Sequence, residues 1–370
     1  MSRPLPAPVS RTLPDLECLK EDVEQTLYGF LTRKAESATP GGRLPNLAAP
    51  LQEFLAAGGK RIRPVLALVG WYAAGANGEP DTARHLAASL ELFHAFALIH
   101  DDVIDRSATR RGRPTVHRAQ AALGAHRSPA NRPRRQAAAD RFGEGAAVLI
   151  GDLALIWSDE LLQAGRPSPA QLERLVPLLN TMRSEVILGQ YLDLDAATCQ
   201  HTDVESALAV IRYKTAKYTI ERPLQLGAAL AGADGGLMET LSAYAIPLGE
   251  AFQLRDDLLG LFGSPGRTGK PVLDDLREGK STVLIALALQ RATPEQGDRL
   301  RAFLGCPALT RDQAETARRI IEATRARHTV EHMITERYEQ AVAVLEGSAV
   351  AGPIADALRR LARRATRRAA

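Results

Sequence analysis

The sequence is poor in cysteine and in aromatic side chains. Of its 370 residues three are cysteine, and Phe, Trp and Tyr together make up 5%. Cys18, Cys199 and Cys306 lie far apart and form no CxxC or Cys/His cluster. The sequence therefore indicates neither disulfide bonds nor a zinc site, and we expect the protein to reside in a reducing cytoplasm.

Long apolar runs are missing as well. No stretch approaches the roughly 18 uncharged apolar residues that cross a bilayer, so we expect no transmembrane segment. The Pro-rich residues 1–15 contain no apolar run typical of a signal peptide and are expected to be disordered. The net charge of +4 is mild and gives no reason to expect a nucleic-acid partner.

The sequence does contain apolar residues at helical spacing. It is rich in Ala and Leu and has few β-branched runs of strand length. It predicts an all-α protein, with a single domain over residues 16–370 in which long helices surround a central cavity. Residues 124–140 contain two prolines and several basic side chains, which predicts a surface loop. The predicted helices are 15–37, 46–57, 62–75, 79–106, 115–123, 141–165, 169–192, 203–216, 218–232, 235–262, 279–290, 294–304, 311–346 (with an internal break) and 351–367.

Two aspartate pairs, Asp101-Asp102 and Asp256-Asp257, lie within apolar helical stretches. Carboxylates rarely occupy such surroundings without a partner. In a helix Asp101 and Asp105 share a face, whereas Asp102 points about 100° away. One such pair alone would be interpreted as a solvated turn or a helix cap. Two pairs, each followed by arginines, favour a site for Mg²⁺ or Mn²⁺, because these ions prefer oxygen ligands without His or Cys.

Basic side chains suited to phosphate accompany the aspartates. The turn Gly58–Pro64 carries Lys60 and Arg63, which share a face if a helix begins there. Arg110 and Arg111 follow the first aspartates, where phosphate binding and simple salt bridges are both open interpretations.

A histidine lies on the face of the helix that carries the first aspartate. His94 precedes Asp101 by two turns, and a core role and a functional role are equally open for it. His100 lies off that face and is interpreted as structural.

Taken together, these strings resemble the trans-isoprenyl diphosphate synthases, also called the polyprenyl synthetase family, and most of all bacterial geranylgeranyl diphosphate synthases. The resemblance covers about residues 46–290. It comprises GGKRxRP at 58–64, DDxxD at 101–105, GQxxD at 189–193, Lys214-Thr215, Phe252-Gln253 and a GK…DLxxGKxT tail at 269–282. Gly260 departs from the family, because it stands where the second motif would have its last aspartate. We expect retained activity with looser metal binding.

The resemblance implies an Mg²⁺-dependent, head-to-tail condensation of isopentenyl diphosphate with an allylic diphosphate. The reaction would release pyrophosphate and give a linear all-trans prenyl diphosphate. It also implies three metal ions per active site and a homodimer. The implied metal-binding carboxylates are Asp101, Asp102, Asp105, Asp256 and Asp257, of which Asp101, Asp105 and Asp256 would ligate directly.

The remaining implied roles concern the two substrates. The catalytic set comprises Asp101, Asp105, Arg110, Lys214, Thr215, Gln253, Asp256 and Lys270. The substrate-binding set comprises Lys60, Arg63, His94, Arg110, Arg111, Lys214, Gln190, Lys270 and Lys280. Within these sets, Thr215 and Gln253 would lie along the developing allylic cation.

Chain length would be set by the helix that precedes Asp101. Ala97 lies one turn below the aspartate and leaves the mouth of a tunnel open, while Phe96 and Phe93 follow deeper. Phe96 resembles the pattern of synthases that make the C20 product, geranylgeranyl diphosphate. C15 farnesyl diphosphate and products of C25 and above remain alternatives, as does simple packing of Phe96 against a neighbouring helix.

Other classes of protein share parts of this pattern. A terpene cyclase would need no isopentenyl site such as Gly58–Pro64, and a non-catalytic subunit of a heteromeric synthase would usually lose the first aspartate motif. The arginine-rich residues 354–368 could contact an anionic membrane surface weakly, with Ile354, Leu358 and Leu361 opposite the arginines. A solvated terminal helix is the plainer interpretation of that segment.

Overall fold

The computed structural model describes residues 13–37, 46–127, 135–199, 203–263, 274–306, 308–348, 350 and 352–366. Apart from one short hairpin, the regular structure within these ranges is helical, which confirms the all-α prediction. The chain divides into two compact units. The first contains Pro14–Leu68 and Gly78–Ser168, and the second contains mainly Val69–Asn77 and Pro169–Ala370. The single-domain organisation stays a prediction.

The first unit consists of helices around one long central helix. Its elements are α1 (Leu16–Ser37), α2 (Ala48–Ala56), α3 (Ile62–Ala73, within which the unit boundary falls), α4 (Pro80–Ile104), β1 (Thr109–Arg110), β2 (Arg113–Pro114), α5 (Val116–Arg127) and α6 (Arg135–Ala164). Pro80 starts α4 at a position where a missing backbone N–H is harmless. Helix α4 packs against α1 and α6 and buries side chains such as Leu86, Leu92 and Ile99.

The second unit carries the rest of the chain. Its elements are α7 (Pro169–Cys199), α8 (Val204–Val210), a π-helix named π1 (Ile211–Glu221), α9 (Arg222–Ala231), α10 (Gly235–Phe262), α11 (Asp274–Arg277), α12 (Val283–Arg291), α13 (Pro294–Phe303), α14 (Arg311–Ala323), α15 (Ala326–Glu346) and α16 (Gly352–Thr366). An apolar core joins α10, α12, α14 and α15.

Side-chain caps define where several of these helices begin. Asp234 accepts a hydrogen bond from the backbone N–H of Leu237 at the start of α10. Thr293 and Thr310 form capping boxes at the starts of α13 and α14. Such caps satisfy backbone N–H groups that have no partner within the helix.

The structure corrects several predicted boundaries. The separate helices 203–216 and 218–232 are one continuous run that contains π1, a state that apolar periodicity cannot distinguish. The prediction of a surface loop at 124–140 is wrong at both of its ends, since α5 extends to Arg127 and α6 begins at Arg135. Both end segments are rich in helix-favouring Ala, Gln and Arg. Residues 128–134, and residues 1–12 of the N-terminus for which disorder is predicted, lie outside the described residues.

Two further boundaries concern the C-terminal half. Helix α12 begins at Val283 rather than 279, because the side chain of Thr282 accepts a hydrogen bond from Ile285 N and caps it there. The break predicted within 311–346 is confirmed at Arg325, whose backbone is left-handed with a φ of 56°.

The C-terminal helix α16 uses its apolar face for packing inside the second unit. Ile354 and Leu358 are buried, and the Tyr244 hydroxyl donates a 2.8 Å hydrogen bond to the carbonyl of Leu358. That face is therefore not presented to a membrane, and any surface contact would have to come from the arginines alone. In the described part of the chain no helix is both long and apolar enough to span a bilayer.

Candidate active site

The first aspartate motif lies at the C-terminal end of α4. The backbone N–H of Asp105 donates a 2.8 Å hydrogen bond to the carbonyl of Asp101, so the two residues are stacked one turn apart, as predicted. Both are partly exposed, whereas Asp102 faces inward and is 1% exposed. The motif thus divides into two outward carboxylates and one buried carboxylate.

Arg110 accounts for the buried carboxylate. Its Nε lies 3.0 and 2.9 Å from the two carboxylate oxygens of Asp102, and its Nη2 lies 2.8 Å from Oδ1. The same Nη2 is 3.6 Å from Asp101. A fork-like pair of this kind fixes the guanidinium in position, so Arg110 is held beside the outward carboxylate of Asp101.

The three basic side chains of the glycine turn at 58–64 differ in exposure: Lys60 is exposed, Arg63 is partly exposed and Arg61 is buried. Arg61 is 2% exposed, and its guanidinium donates to Glu91 at 2.6 Å, to Glu24 at 3.1 Å and to the carbonyl of Leu55 at 2.9 Å. Helix α3 begins only at Ile62, so Lys60 precedes the helix, and the condition under which Lys60 and Arg63 would share a helical face is not met. Arg61 anchors the turn.

A strained hairpin holds Arg111 against this turn. β1 and β2 pair through Arg110 and Arg113, which leaves Arg111 and Gly112 as a two-residue turn with φ values of 53° and 73°. Such turns prefer Asn or Gly at the first position, so arginine there strains the backbone. A Cβ built on Gly59 would lie 3.3 Å from Nη2 of Arg111, which shows how closely this guanidinium approaches the turn.

His94 is surrounded by the same arginines. Burial, followed by the charges of Arg63, Arg110, Arg111 and Arg61, holds the pKa of His94 well below its usual range. The imidazole is therefore neutral at pH 7 within a strongly positive region. Among the residues predicted for the isopentenyl site, Arg63 and Arg111 lie close enough to His94 for their charges to act on its imidazole.

The aromatic residues below the first motif form a stack on α4. Phe93 is buried, and its ring centroid lies 5.4 Å from that of Phe96. The Phe96 ring in turn meets the edge of His100 at 4.7 Å. His100 is in contact with the carbonyl of Val148 at 3.1 Å, which supports its structural role. Ala97 is partly exposed between the aromatic residues and Asp101.

In the second unit, π1 is packed between two glycines. A Cβ on Gly189 of α7 would come within 2.5 Å of the backbone N of Lys214, and one on Gly249 of α10 within 2.4 Å of Cα of Ala216. These positions have to be glycine for the backbones to approach so closely. π-helical turns are frequent at functional sites, and this one carries Lys214 and Thr215.

Lys214 and Thr215 take part in hydrogen bonds that extend to the second aspartate motif. Lys214 donates to Asp193 at 2.6 Å. The Thr215 hydroxyl donates to Gln253 at 2.9 Å, and the Gln253 amide donates to Asp257 at 2.8 Å. Burial, with the nearby carboxylates of Asp275 and Asp256, raises the pKa of Asp257 to about 8. Asp257 is therefore mostly neutral at pH 7.

The remaining predicted residues differ in how the structure places them. Nε2 of Gln190 is buried and has no hydrogen-bond partner in the described part of the chain. Lys280 lies 2.8 Å from Glu278 and 3.9 Å from Asp275. Lys270 lies outside the described residues.

The carboxylates fit magnesium rather than a metal held by protein alone. Among the described residues no group of three or more His, Cys, Asp or Glu side chains is arranged to hold an ion. Mg²⁺ usually takes one or two carboxylates and completes its shell with water and phosphate oxygens. In the first unit, partly exposed Asp101 and Asp105, one turn apart, match that requirement; in the second unit, partly exposed Asp256 matches it by itself.

Two residues with clear roles in this geometry were missed from the sequence. Arg61 is indistinguishable by type from its neighbours Lys60 and Arg63, and only burial reveals it as an anchor. Asp275 lies directly against Gly260, so that a Cβ there would meet its Oδ2 at 2.1 Å. The only sequence feature that hinted at this contact was Gly260, which stands where the second motif would have its last aspartate.

Comparison with known proteins places these features in a family. The sequence matches the polyprenyl synthetase family over residues 44–323. A geranylgeranyl diphosphate synthase of Mycobacterium tuberculosis is 33% identical over 75% of this chain and 73% of its own length. A geranylfarnesyl diphosphate synthase of Aeropyrum pernix is 34% identical over 65% of this chain and 69% of its own length.

Solved structures give the same answer. The geranylgeranyl pyrophosphate synthase of Corynebacterium glutamicum, crystallised with isoprenyl diphosphate and magnesium, is 41% identical to this chain. The alignment has a TM-score of 0.90 and covers 96% of this chain and all of that one. With its two aspartate motifs, its glycine turn and this match over most of its length, the chain belongs to the polyprenyl synthetase family, whose members are prenyltransferases that make prenyl diphosphates.

Proposed function

We propose that this prenyl diphosphate synthase makes the C20 product, geranylgeranyl diphosphate, from isopentenyl diphosphate and an allylic diphosphate. The observation that carries the proposal is the aromatic stack on α4, in which Ala97 leaves room next to Asp101 while Phe96 and Phe93 follow. At 1.5 Å per residue, Phe96 lies about 7.5 Å and Phe93 about 12 Å below Asp101 along the helix. The stack would form the floor of the tunnel for the growing chain.

The names of the relatives favour C20 without excluding its neighbours. Geranylgeranyl diphosphate synthases occur among them, alongside a farnesyl diphosphate synthase of Mycobacterium bovis at 36% identity. C15 and C25 products therefore remain the alternatives that the experiment has to separate.

The proposed roles follow from charge. Magnesium, when bound, neutralises the diphosphate and makes it a better leaving group. We assign Asp101, Asp105 and Asp256 to holding it, with three ions per site as the expected number. Both oxygens of Asp102 accept hydrogen bonds from Arg110, and Asp257 accepts one from Gln253, so we assign both carboxylates to supporting neighbouring groups rather than to direct ligation.

The cations and dipoles of the chain complete the proposed site. Lys60, Arg63, His94 and Arg111 would bind isopentenyl diphosphate. The allylic diphosphate would be held by Arg110, Lys214 and Lys270, and Lys280 would also take part in substrate binding. Gln190, with its buried and unpaired Nε2, would donate to a substrate, and the oxygens of Thr215 and Gln253 would stabilise the allylic cation.

Product analysis tests the proposal. Purified protein with Mg²⁺, isopentenyl diphosphate and each allylic primer should give C20 chains, sized by chromatography. Phe96→Ala should lengthen the product because it removes the ring nearest the tunnel mouth, whereas Phe54→Ala on α2 should leave length unchanged. Asp101→Ala should abolish turnover. An unchanged product length in Phe96→Ala would show that Phe96 is not the floor, and C15 chains from the unmodified protein would overturn the C20 assignment.

We also propose that the protein acts as a homodimer. The support is an apolar stripe on α6, formed by Phe142, Leu149 and Ile156, which are 45%, 63% and 61% exposed. A spacing of seven residues places the three side chains on one face of the helix. Large apolar side chains exposed in a row are typical of an interaction surface.

A further inference from the structure

Phe96, the ring that we assign to the tunnel floor, has an aromatic neighbour on each side along α4. Its centroid lies 5.4 Å from that of Phe93 and 4.7 Å from that of His100. These spacings of three and four residues are the ones at which side chains on a helix meet. Because helical side chains lean towards the N-terminus, the imidazole of His100 lies over the ring of Phe96. The two rings meet edge to face at 64°, a favourable arrangement for an aromatic pair.

Helix α6 holds the imidazole in its place. Nε2 of His100 lies 3.1 Å from the backbone carbonyl of Val148. A carbonyl only accepts hydrogen bonds, so this nitrogen carries a proton and donates it. Oδ1 of Asp152 is 3.6 Å from the same Nε2, which is too far for a second hydrogen bond. The ring is therefore anchored by the backbone of α6 and not by the carboxylate.

The imidazole occupies a space that a glycine of α6 leaves open. A Cβ built on Gly151 would lie 2.3 Å from Nε2 and 2.4 Å from Cδ2 of His100, and the next nearest atom is Cε1 of the same ring at 3.5 Å. A side chain at position 151 would thus displace the imidazole. If the imidazole were removed instead, Gly151 would leave its space empty.

These contacts limit where the ring of Phe96 can point. A long side chain on a helix has two common χ1 rotamers, so a neighbouring ring that occupies the path of one of them favours the other. With the imidazole in place, Phe93 and His100 enclose Phe96. Without it, Phe96 gains the space beside Gly151 and can turn towards α6, away from the growing chain.

We propose that His100 is a positioning residue for product length, because its imidazole, anchored to α6, keeps the ring of Phe96 in the tunnel floor. The inference rests on the proposed function, in which Phe96 forms that floor. It gives His100 no contact with substrate. It also extends the control of product length to a second helix, since Val148 and Gly151 belong to α6.

Product length tests the inference, because a general loss of stability lowers the rate without changing which chains are made. His100→Ala, assayed with Mg²⁺, isopentenyl diphosphate and each allylic primer, should raise the ratio of longer chains to the natural product by about 2- to 10-fold, as expected from the loss of one aromatic pair. Gly151→Ala displaces the imidazole from the side of α6 and should shift the ratio in the same direction. The double variant H100A/G151L fills the freed space from α6 and should bring the ratio back towards its natural value.

Two control variants belong to the same pair of helices. The imidazole of His85 on α4 also contacts a backbone carbonyl, that of Asp81 at 2.8 Å, but it lies about three turns before Phe96. His85→Ala should therefore leave product length unchanged. Asp152→Asn removes the carboxylate near Nε2 and should leave it unchanged as well. A shift in Asp152→Asn equal to that in His100→Ala would overturn the inference in favour of a charge effect.

The Phe96→Ala variant separates this inference from the proposed function. If Phe96→Ala lengthens the product while His100→Ala and Gly151→Ala do not, the inference alone is wrong. If Phe96→Ala has no effect on length, the floor assigned to Phe96 fails, and the inference fails with it. Thermal unfolding of each variant shows that the assayed protein is folded.

Discussion

At the scale of single residues, burial rather than residue type separates the cations of the glycine turn that could reach a ligand from the one that could not. Lys60, Arg61 and Arg63 occupy one turn, yet the side chain of Arg61 is 1% exposed and pairs with Glu91, which is 5% exposed. Removing one partner of a buried pair typically costs about 3–5 kcal/mol, because the other charge stays buried without compensation. The turn that presents Lys60 and Arg63 therefore depends on a third cation that would not touch substrate.

His94 gives this region a defined response to acid. Its pKa is lowered in the folded protein by burial and by the surrounding arginines. In the unfolded chain the pKa should be near 6.5. Between these two values the unfolded state binds more protons, so folding stability is fully present above about pH 6.5 and decreases as the pH falls below it.

Comparison with His94→Gln measures this effect. Relative to the variant, the natural protein should lose up to about 1.4 kcal/mol of unfolding free energy per pH unit below pH 6.5. Urea unfolding at pH 5, 6, 7 and 8 gives the two curves, which should run parallel above about pH 7.5. Curves that stay parallel down to pH 5 would show that His94 is not held neutral by its surroundings.

At the scale of elements, the π-helix is the feature that positions Lys214 and Thr215 in the second unit. Each hydrogen-bonded turn of a π-helix contains one residue more than a turn of an α-helix. The extra residue rotates the side chains that follow it, so π1 changes which of them face α7 and α10. Gly189 and Gly249 allow both neighbours to approach its backbone. Lys214 and Thr215 are thereby fixed opposite Asp193 and Gln253.

Gly249→Ala tests this packing. The new methyl group would lie 2.4 Å from Cα of Ala216, so π1 or α10 has to move, and we expect a loss of about 1–3 kcal/mol in unfolding free energy. Turnover should fall as well, because the Thr215–Gln253 hydrogen bond spans the same contact. Gly236→Ala is the matched control on α10, since its Cβ would meet nothing closer than 3.6 Å. Equal stability in the two variants would contradict the close packing.

At the scale of the whole molecule, the apolar stripe on α6 is the surface from which we predict assembly. Leu149→Glu combined with Ile156→Glu places two charges on it and should convert a dimer into monomers, as measured by sedimentation equilibrium. Val176→Glu changes an exposed apolar side chain of α7, 44% exposed, and should leave the mass unchanged. A monomeric natural protein, or a dimer that survives the double change, would contradict the proposal.

The sequence predicted the helical class, most helix positions and the residues that gather around His94. Chemistry-bearing residues were predictable because their types and spacings reflect what a diphosphate and a divalent ion require. The π-helix was not, since apolar periodicity is the same whether one turn contains an extra residue or not. The burial of Arg61 and of Asp102 was also beyond the sequence, because it depends on packing that the sequence pattern does not reveal.

The left-handed turn at Arg111 and Gly112 affects which residues position 111 can accept. A left-handed backbone there favours Asn or Gly, whereas the proposed substrate contact requires a guanidinium. A library of all residues at this position, sorted only for resistance to proteolysis, should enrich Asn and Gly. The same library sorted for product formation should return Arg. Selection for function and selection for folding thus oppose each other at this one position.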